Sequence, residues 1–191
     1  MRTADINRKT KETSIKIKLD LDGSGQSKIT GDIGFLNHML ETLAKHGRFD
    51  LEAEITGDLK VDQHHTIEDT GITLGQAFKS ALNEKKGIKR AGFFVFPMDE
   101  SLAMASADIS GRPYLKIEAK FKNKKVGDFN TDTLTDFFTG FCSALGASLH
   151  IKVYGRSDHH KIEAIFKATG RALKECCELE GEEIPSTKGV L

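Results

Sequence analysis

Four of the seven histidines in this 191-residue chain stand as two adjacent pairs, and each pair runs on to a glutamate: His64-His65-Thr66-Ile67-Glu68 and His159-His160-Lys161-Ile162-Glu163. Imidazole nitrogen and carboxylate oxygen without thiolate make a donor set for manganese, iron, zinc or cobalt, and the oxygen share leans toward manganese. At a helix start neighbouring residues point about 100° apart, so two adjacent imidazoles do not easily close on one ion, whereas residues three apart share a face. Each pair therefore serves two ions. His65 with Glu68 is expected to hold one cation while His64 reaches the other, and His160 with Glu163 and His159 repeats the arrangement, so that each ion takes ligands from both pairs. A single histidine on a helix is ordinarily a surface or core residue with satisfied nitrogens; two pairs with two matched glutamates are not explained that way. His150 has no such support and reads as a strand residue.

The elements that must position these residues are legible as changes of hydrophobic period. Thr13 to Leu21 alternates, with Ile15, Ile17, Leu19 and Leu21 on one side, and predicts a half-buried strand. Leu36, Met39, Leu40 and Leu43 recur at helical spacing before Gly47, a strand pattern returns at Phe49, Leu51, Ala53 and Ile55, and a longer helix past Asp62 carries Ile67, Gly71, Leu74, Phe78 and Leu82, closing near Gly87. The second half repeats this order. Strands are predicted over Gly92 to Met98, Leu102 to Ile109 and Tyr114 to Phe121, then a helix through Leu134, Phe137, Phe138 and Phe141, a strand over Leu149, Ile151 and Val153, and a helix through Ile162, Ile165, Phe166, Thr169 and Leu173.

Laid on one another, the two halves match, with residues 73 to 79 (TLGQAFK) against 168 to 174 (ATGRALK). The offset is 98 in the first helix (136 minus 38) and 95 in the second (163 minus 68), so a shift of three falls in the connection between them. The expected fold class is α+β, a tandem duplication of a sheet-plus-two-helices unit, with the two sheets packed back to back and the helices outside. The chain reads as one domain of two repeats, about 1–90 and 91–191. The duplication also superposes His38 on Asp136, both of ligand type. The two expected metal clusters are then His38, His65, Glu68 and His159, and His64, Asp136, His160 and Glu163.

Composition excludes several classes. Lysine plus arginine number 28 and aspartate plus glutamate 28, so the net positive field of a general nucleic-acid binder is absent. The stretch Lys85, Lys86, Lys89 and Arg90 is the densest basic run and reads first as a solvated helix end. No stretch approaches a membrane span, and Met1 to Lys11 lacks the apolar core of a signal peptide. Three cysteines, Cys142, Cys176 and Cys177, show neither a disulfide framework nor thiolate-site spacing. A reducing, cytoplasmic location is expected, with no nucleic-acid or membrane partner.

With their flanks, these residues closely resemble the imidazoleglycerol-phosphate dehydratase family of histidine biosynthesis over nearly the whole chain. The resemblance rests on residues 8–13 (RKTKET), 34–40 (GFLNHML), 62–69 (DQHHTIED), 97–100 (PMDE), 108–113 (DISGRP), Asp158-His159-His160 through Glu163-Ala164, and 185–189 (PSTKG). It implies a duplicated α+β fold, two manganese ions per site, and trimers assembled into a hollow shell of 24 subunits. The implied reaction removes water from D-erythro-imidazole-glycerol phosphate to give imidazole-acetol phosphate. Cations on the ring nitrogens would stabilise an imidazolate-like form that helps expel the side-chain hydroxyl. The resemblance carries Glu12 over as a substrate-contacting carboxylate and first candidate for acid-base work, with Glu68 or Glu163 as rivals. It also places Arg90, Arg112, Ser186, Thr187 and Lys188 around the phosphate, where guanidinium grips oxyanions bidentately. His38 and His46 are further candidate substrate contacts, although a histidine such as His46 at a helix C-terminus is also favoured by the dipole alone.

The sequence departs from the family pattern at Asp136, where members often carry histidine or glutamate, and at Thr187, where serine is usual. Asp136 is short enough that a direct contact, a contact through water and no contact all remain open. No phosphatase segment precedes the dehydratase, so a monofunctional chain is expected. The rival readings are a dinuclear metal hydrolase acting on a small phosphorylated substrate, which would call for more bridging carboxylates, and a non-catalytic metal-storage shell, which would leave the phosphate-binding residues without a purpose.

Overall fold

The computed structural model describes residues 1–189. In the first half β1 (Thr3–Lys9), β2 (Thr13–Asp20) and β3 (Ser27–Gly31) are followed by α1 (Gly34–Gly47), β4 (Asp50–Gly57) and α2 (His64–Leu82). In the second, β5 (Ala91–Met98), β6 (Ser101–Asp108) and β7 (Tyr114–Glu118) precede a short hairpin, β8 (Lys125–Val126) and β9 (Phe129–Asn130), and then α3 (Thr133–Leu145), β10 (Ser148–Tyr154) and α4 (Asp158–Cys177). The sheets run β1-β2-β4-β3 and β5-β6-β10-β7, the same order under the duplication. Each has one parallel pair, β3 with β4 and β7 with β10, and is otherwise antiparallel. The duplicated α+β unit of a sheet with two helices is therefore present in both halves.

The layer order differs from expectation. The sheets do not meet back to back with helices outside; the helices form the middle of the molecule, and the sheets flank them. The reason lies in the side chains. In the first sheet the strands have one apolar face, as in Ile15, Ile17 and Leu19 against Lys16 and Lys18, so that sheet can be covered on one side only, whereas in the second Phe93 and Val95 of β5 stay exposed. Helices α2 and α4 are buried over most of their surface, because their glycines open a second contact surface besides the large apolar stripe. A Cβ on Gly75 would stand 2.5 Å from the Phe141 carbonyl oxygen of α3, and one on Gly170 would stand 2.7 Å from the Leu43 carbonyl oxygen of α1. Gly75 and Gly170 are equivalent in the repeat, as are Phe141 and Leu43. Each half thus lays its second helix across the other half's first helix; Phe78 packs on Phe141 in the α2–α3 seam at a ring separation of 5.5 Å, and Phe137 and Phe138 of α3 pack on Phe166 of α4 at 5.4 and 5.2 Å.

The connections carry the shift of three. Six residues separate Gly57 from His64, and three separate Gly155 from His159. Helix α2 closes at Leu82 rather than near Gly87. β1 and β3 were not legible as strands: β1 lies at the sheet edge with every other residue exposed, so its inward residues Ala4 and Ile6 leave too weak an alternation. Among the described residues, no helix is long and apolar enough to cross a membrane.

Candidate metal centre

Both histidine pairs stand at helix starts held by neighbouring polar groups. At α2, the Asp62 carboxylate accepts the His64 N–H at 2.8 Å, and Gln63 Oε1 accepts the Asn130 N–H of β9 at 2.9 Å. At α4, Ser157 Oγ caps the His160 N–H at 3.3 Å. Buried Asp158 pairs with buried Lys161 at 2.6 Å and accepts the N–H groups of Lys122 and Asn123 at 2.9 and 2.8 Å. Burial by itself raises the Asp158 carboxyl, but Lys161 and these N–H groups outweigh it and hold the group below the ordinary range. The start of α1 is fixed from the other half, where Asp128 in the β8–β9 turn accepts the Gly34 and Phe35 N–H groups at 2.6 and 3.0 Å.

Within each pair the imidazoles diverge. The rings of His64 and His65 are 5.8 Å apart at 71°, and those of His159 and His160 are 5.9 Å apart at 90°. His159 turns toward Glu163, with Nε2 3.3 Å from Oε2, and toward His38 across the α1–α4 contact at a ring separation of 6.4 Å. His38, His159 and Glu163 each offer a donor atom within 4.8 Å of the others. The repeat-related grouping is His64, Glu68 and Asp136: His64 Nε2 lies 3.7 Å from Glu68 and Nδ1 lies 3.0 Å from Asp136 Oδ2. Each grouping takes residues from both halves.

The second member of each pair points elsewhere. His65 Nδ1 meets Asp58 at 3.1 Å and Glu12 at 3.8 Å, and His160 Nδ1 meets Glu100 at 2.8 Å with Nε2 3.8 Å from Asp99. The partnerships are displaced from those expected: Glu68 goes with His64 rather than His65, and Glu163 goes with His38 and His159 rather than with His64 and Asp136. Residues four apart on a helix diverge by only about 40°, against about 60° for residues three apart, and the neighbouring carboxylates draw His65 and His160 away. Within one chain, neither four-residue cluster closes. Asp58, Asp99 and Glu100 were not among the expected residues. The 97–100 segment flagged the last two, whereas nothing near Asp58 distinguishes it from a loop aspartate.

Electrostatics follow these contacts. The His160 ring, then the Ser157 N–H, hold the Glu100 carboxyl down to about 2. Glu100 raises His160 in return, and Asp58, then Glu12, raise His65. Burial raises the Glu163 carboxyl, but the Lys167 ammonium at 2.8 Å outweighs it and leaves the group lowered.

The expected substrate residues fall into several places. Glu12 lies in the β1–β2 turn beside His65, and its side chain is 53% exposed. The Arg90 guanidinium forks onto Asp108 at 2.7 and 3.1 Å and donates to the Pro185 carbonyl at 2.9 Å, which brings it to the segment bearing Ser186, Thr187 and Lys188. Arg112 is exposed in the turn before β7, and its backbone oxygen accepts from Ser148 Oγ at 3.0 Å. His46 packs edge-on against Phe96 at 4.9 Å with Nδ1 buried and unpartnered; burial, then Lys167 and Arg171, lower its pKa. That lowering argues against a charged His46 held by the helix dipole. The donors of His38, His159 and Glu163 converge as a divalent cation requires. His64 turns opposite ring nitrogens to Asp136 and Glu68, so its Nε2 faces Glu68 alone, and carboxylates on Nδ1 of His64, His65 and His160 leave Nε2 to coordinate.

Fold and site together define the class: a duplicated α+β protein with candidate metal-binding groups of imidazole and carboxylate shared between its halves. Residues 30–173 match the family described as imidazoleglycerol-phosphate dehydratase. The chain is 50% identical over 191 residues to the imidazoleglycerol-phosphate dehydratase of Caldicellulosiruptor saccharolyticus, covering 100% of this chain and 98% of that one. It is 53% identical over 191 residues to that of Methanococcoides burtonii, with 100% of both chains covered. The crystal structure of IGPD from Pyrococcus furiosus in complex with (S)-C348 superposes with a TM-score of 0.84 at 36% identity, over 97% of this chain and 100% of that one. The chain belongs to the imidazoleglycerol-phosphate dehydratase family, and the hydrolase and storage alternatives give way to that assignment.

Proposed function

We propose that this dehydratase removes water from D-erythro-imidazole-glycerol phosphate in histidine biosynthesis at a site with two divalent cations, manganese by donor type. The observation that carries the reading is the paired grouping: His38 with His159 and Glu163, and Asp136 with His64 and Glu68, each drawn from both halves. These two groupings would each hold a cation, with Asp136 as ligand or as the partner of His64 Nδ1. When bound, the cations supply Lewis acidity at the substrate ring nitrogens. His65 and His160, turned away from the groupings of their own chain, complete those of neighbouring copies. That requirement supports a homo-oligomer, in line with the shell of 24 subunits built from trimers that the family resemblance implies. The working unit is one domain of two repeats, 1–90 and 91–191, acting in the cytoplasm.

Glu12 takes and returns the proton on the substrate side chain. Among the described residues its carboxylate has no hydrogen bond, so it is free to accept one, whereas Glu163 is tied to Lys167 and Glu68 stands beside His64. Arg90, Arg112, Ser186, Thr187 and Lys188 grip the phosphate, with Asp108 fixing the plane of Arg90, and His46 lies beside the bound substrate. Arg112→Ala should raise KM about tenfold or more and leave kcat nearly unchanged in steady-state kinetics. The deciding experiment gives the manganese-loaded protein its substrate and follows the enol absorbance of the ketone product in alkali. No product under those conditions removes the assignment.

A further inference from the structure

The duplication places two carboxylates at equivalent turns, and only one is left free. Glu12 immediately precedes β2 and Glu100 immediately precedes β6. Glu100 is fully engaged: it accepts the Arg156 and Ser157 N–H groups at 3.2 and 2.7 Å and the Ser101 hydroxyl at 3.2 Å, and it holds His160. Among the described residues the Glu12 carboxylate makes no such bond, but its backbone is pinned. Its N–H donates to Thr10 Oγ1 at 3.1 Å, and the same oxygen accepts the Thr13 N–H at 2.9 Å. The Thr13 hydroxyl donates to Asp69 Oδ2 at 2.5 Å, so its oxygen is left to accept from the Thr10 hydroxyl, 3.1 Å away. Asp69 Oδ1 is held in turn by Arg8 through Nε at 2.9 Å and Nη2 at 2.8 Å.

This chain of hydroxyls ends on a buried charge, where donors polarise one another and the geometry is stiffest. It exists in one half only. The repeat partner of Asp69 is Ala164, which is buried and has no acceptor on its side chain. The half with the engaged carboxylate lacks the network, and the half with the free carboxylate has it.

We propose that Asp69, acting through Thr13 and Thr10, is the positioning residue that holds the Glu12 turn beside His65 for proton transfer. The proposal rests on the reading of Glu12 as the acid-base group. An exposed turn would otherwise let the carboxylate wander, and a displacement of about 1 Å at a reacting group costs on the order of a hundredfold in rate.

The test compares Thr13→Val, Thr13→Ser, Thr10→Val and Glu12→Gln as manganese-loaded proteins, measuring kcat, KM and bound metal. Thr13→Val and Thr10→Val should lower kcat by on the order of a hundredfold, with KM and metal content near those of the unaltered chain, and Thr13→Ser should restore kcat. Thr10 is only half-buried, so Thr10→Val decides the question even where Thr13→Val fails to fold. Unaltered kcat in Thr10→Val, or a change confined to KM, overturns the proposal. Undiminished kcat in Glu12→Gln overturns instead the acid-base reading of Glu12, whereas an inactive Glu12→Gln beside an unimpaired Thr10→Val overturns the positioning role alone.

Discussion

His64, His65 and His160 each turn Nδ1 to a carboxylate, Asp136 at 3.0 Å, Asp58 at 3.1 Å and Glu100 at 2.8 Å. A carboxylate there favours the tautomer protonated at Nδ1, which leaves Nε2 to coordinate. Adjacent histidines can then serve different centres without competing for one carboxylate. His65→Ala should cost about one metal per site and nearly all turnover, read by elemental analysis of the purified protein beside kinetics; retention of both metals would refute the ligand role. The two groupings are chemically unequal, because Asp136 replaces the imidazole that His38 supplies in the other.

The helix crossings are set by glycines whose missing side chains let backbones touch. A methyl added at Gly75 would meet the Phe141 carbonyl at 2.5 Å, an atom that cannot move without α3. Gly75→Ala should therefore destabilise the fold by about 1–3 kcal/mol or more, seen as a lower urea midpoint, and an unchanged midpoint would show that the crossing yields. The loop before β3 gives a pH-dependent counterpart. Asp50 Oδ1 accepts the Gln26, Ser24 and Gly25 N–H groups at 2.8, 2.8 and 3.0 Å. The bonds from Gln26 and Ser24 lead in holding its carboxyl below the ordinary 3.8. A lowered folded pKa stabilises fully above the unfolded value and is lost as pH falls through the folded one. The difference in melting temperature between the unaltered chain and Asp50→Asn should be full at neutral pH and shrink below about pH 4; a difference that stays constant in acid would contradict the assignment.

The whole molecule is two sheets around a shared helical layer, so neither half can be removed without exposing the other's core. The same exchange builds the candidate metal groupings, since His38 reaches His159 across the α1–α4 crossing. His65 and His160 face away from those groupings. If they complete the sites of neighbouring copies, metal removal should weaken assembly as well as activity. Gel filtration with light scattering should show a large assembly with manganese and smaller species after chelation, with recovery on adding metal back. An elution volume indifferent to chelator would detach assembly from the metal.

Paired imidazoles, matched glutamates and a repeat offset that changes by three were readable along the chain, because periodicity and duplication are properties of sequence order. They sufficed for the α+β class, both helix pairs and the histidines and glutamates that head α2 and α4. Which partner each residue takes was decided in three dimensions. Asp58 looks like any loop aspartate until the longer connection between Gly57 and His64 brings it to His65, and β1 shows too little alternation to announce an edge strand. The layer order was likewise hidden, because Gly75 and Gly170 read as pauses in a helical stripe. They become contact surfaces only when a second helix backbone arrives from the other half, and contacts between residues far apart in sequence leave no periodic trace of their own.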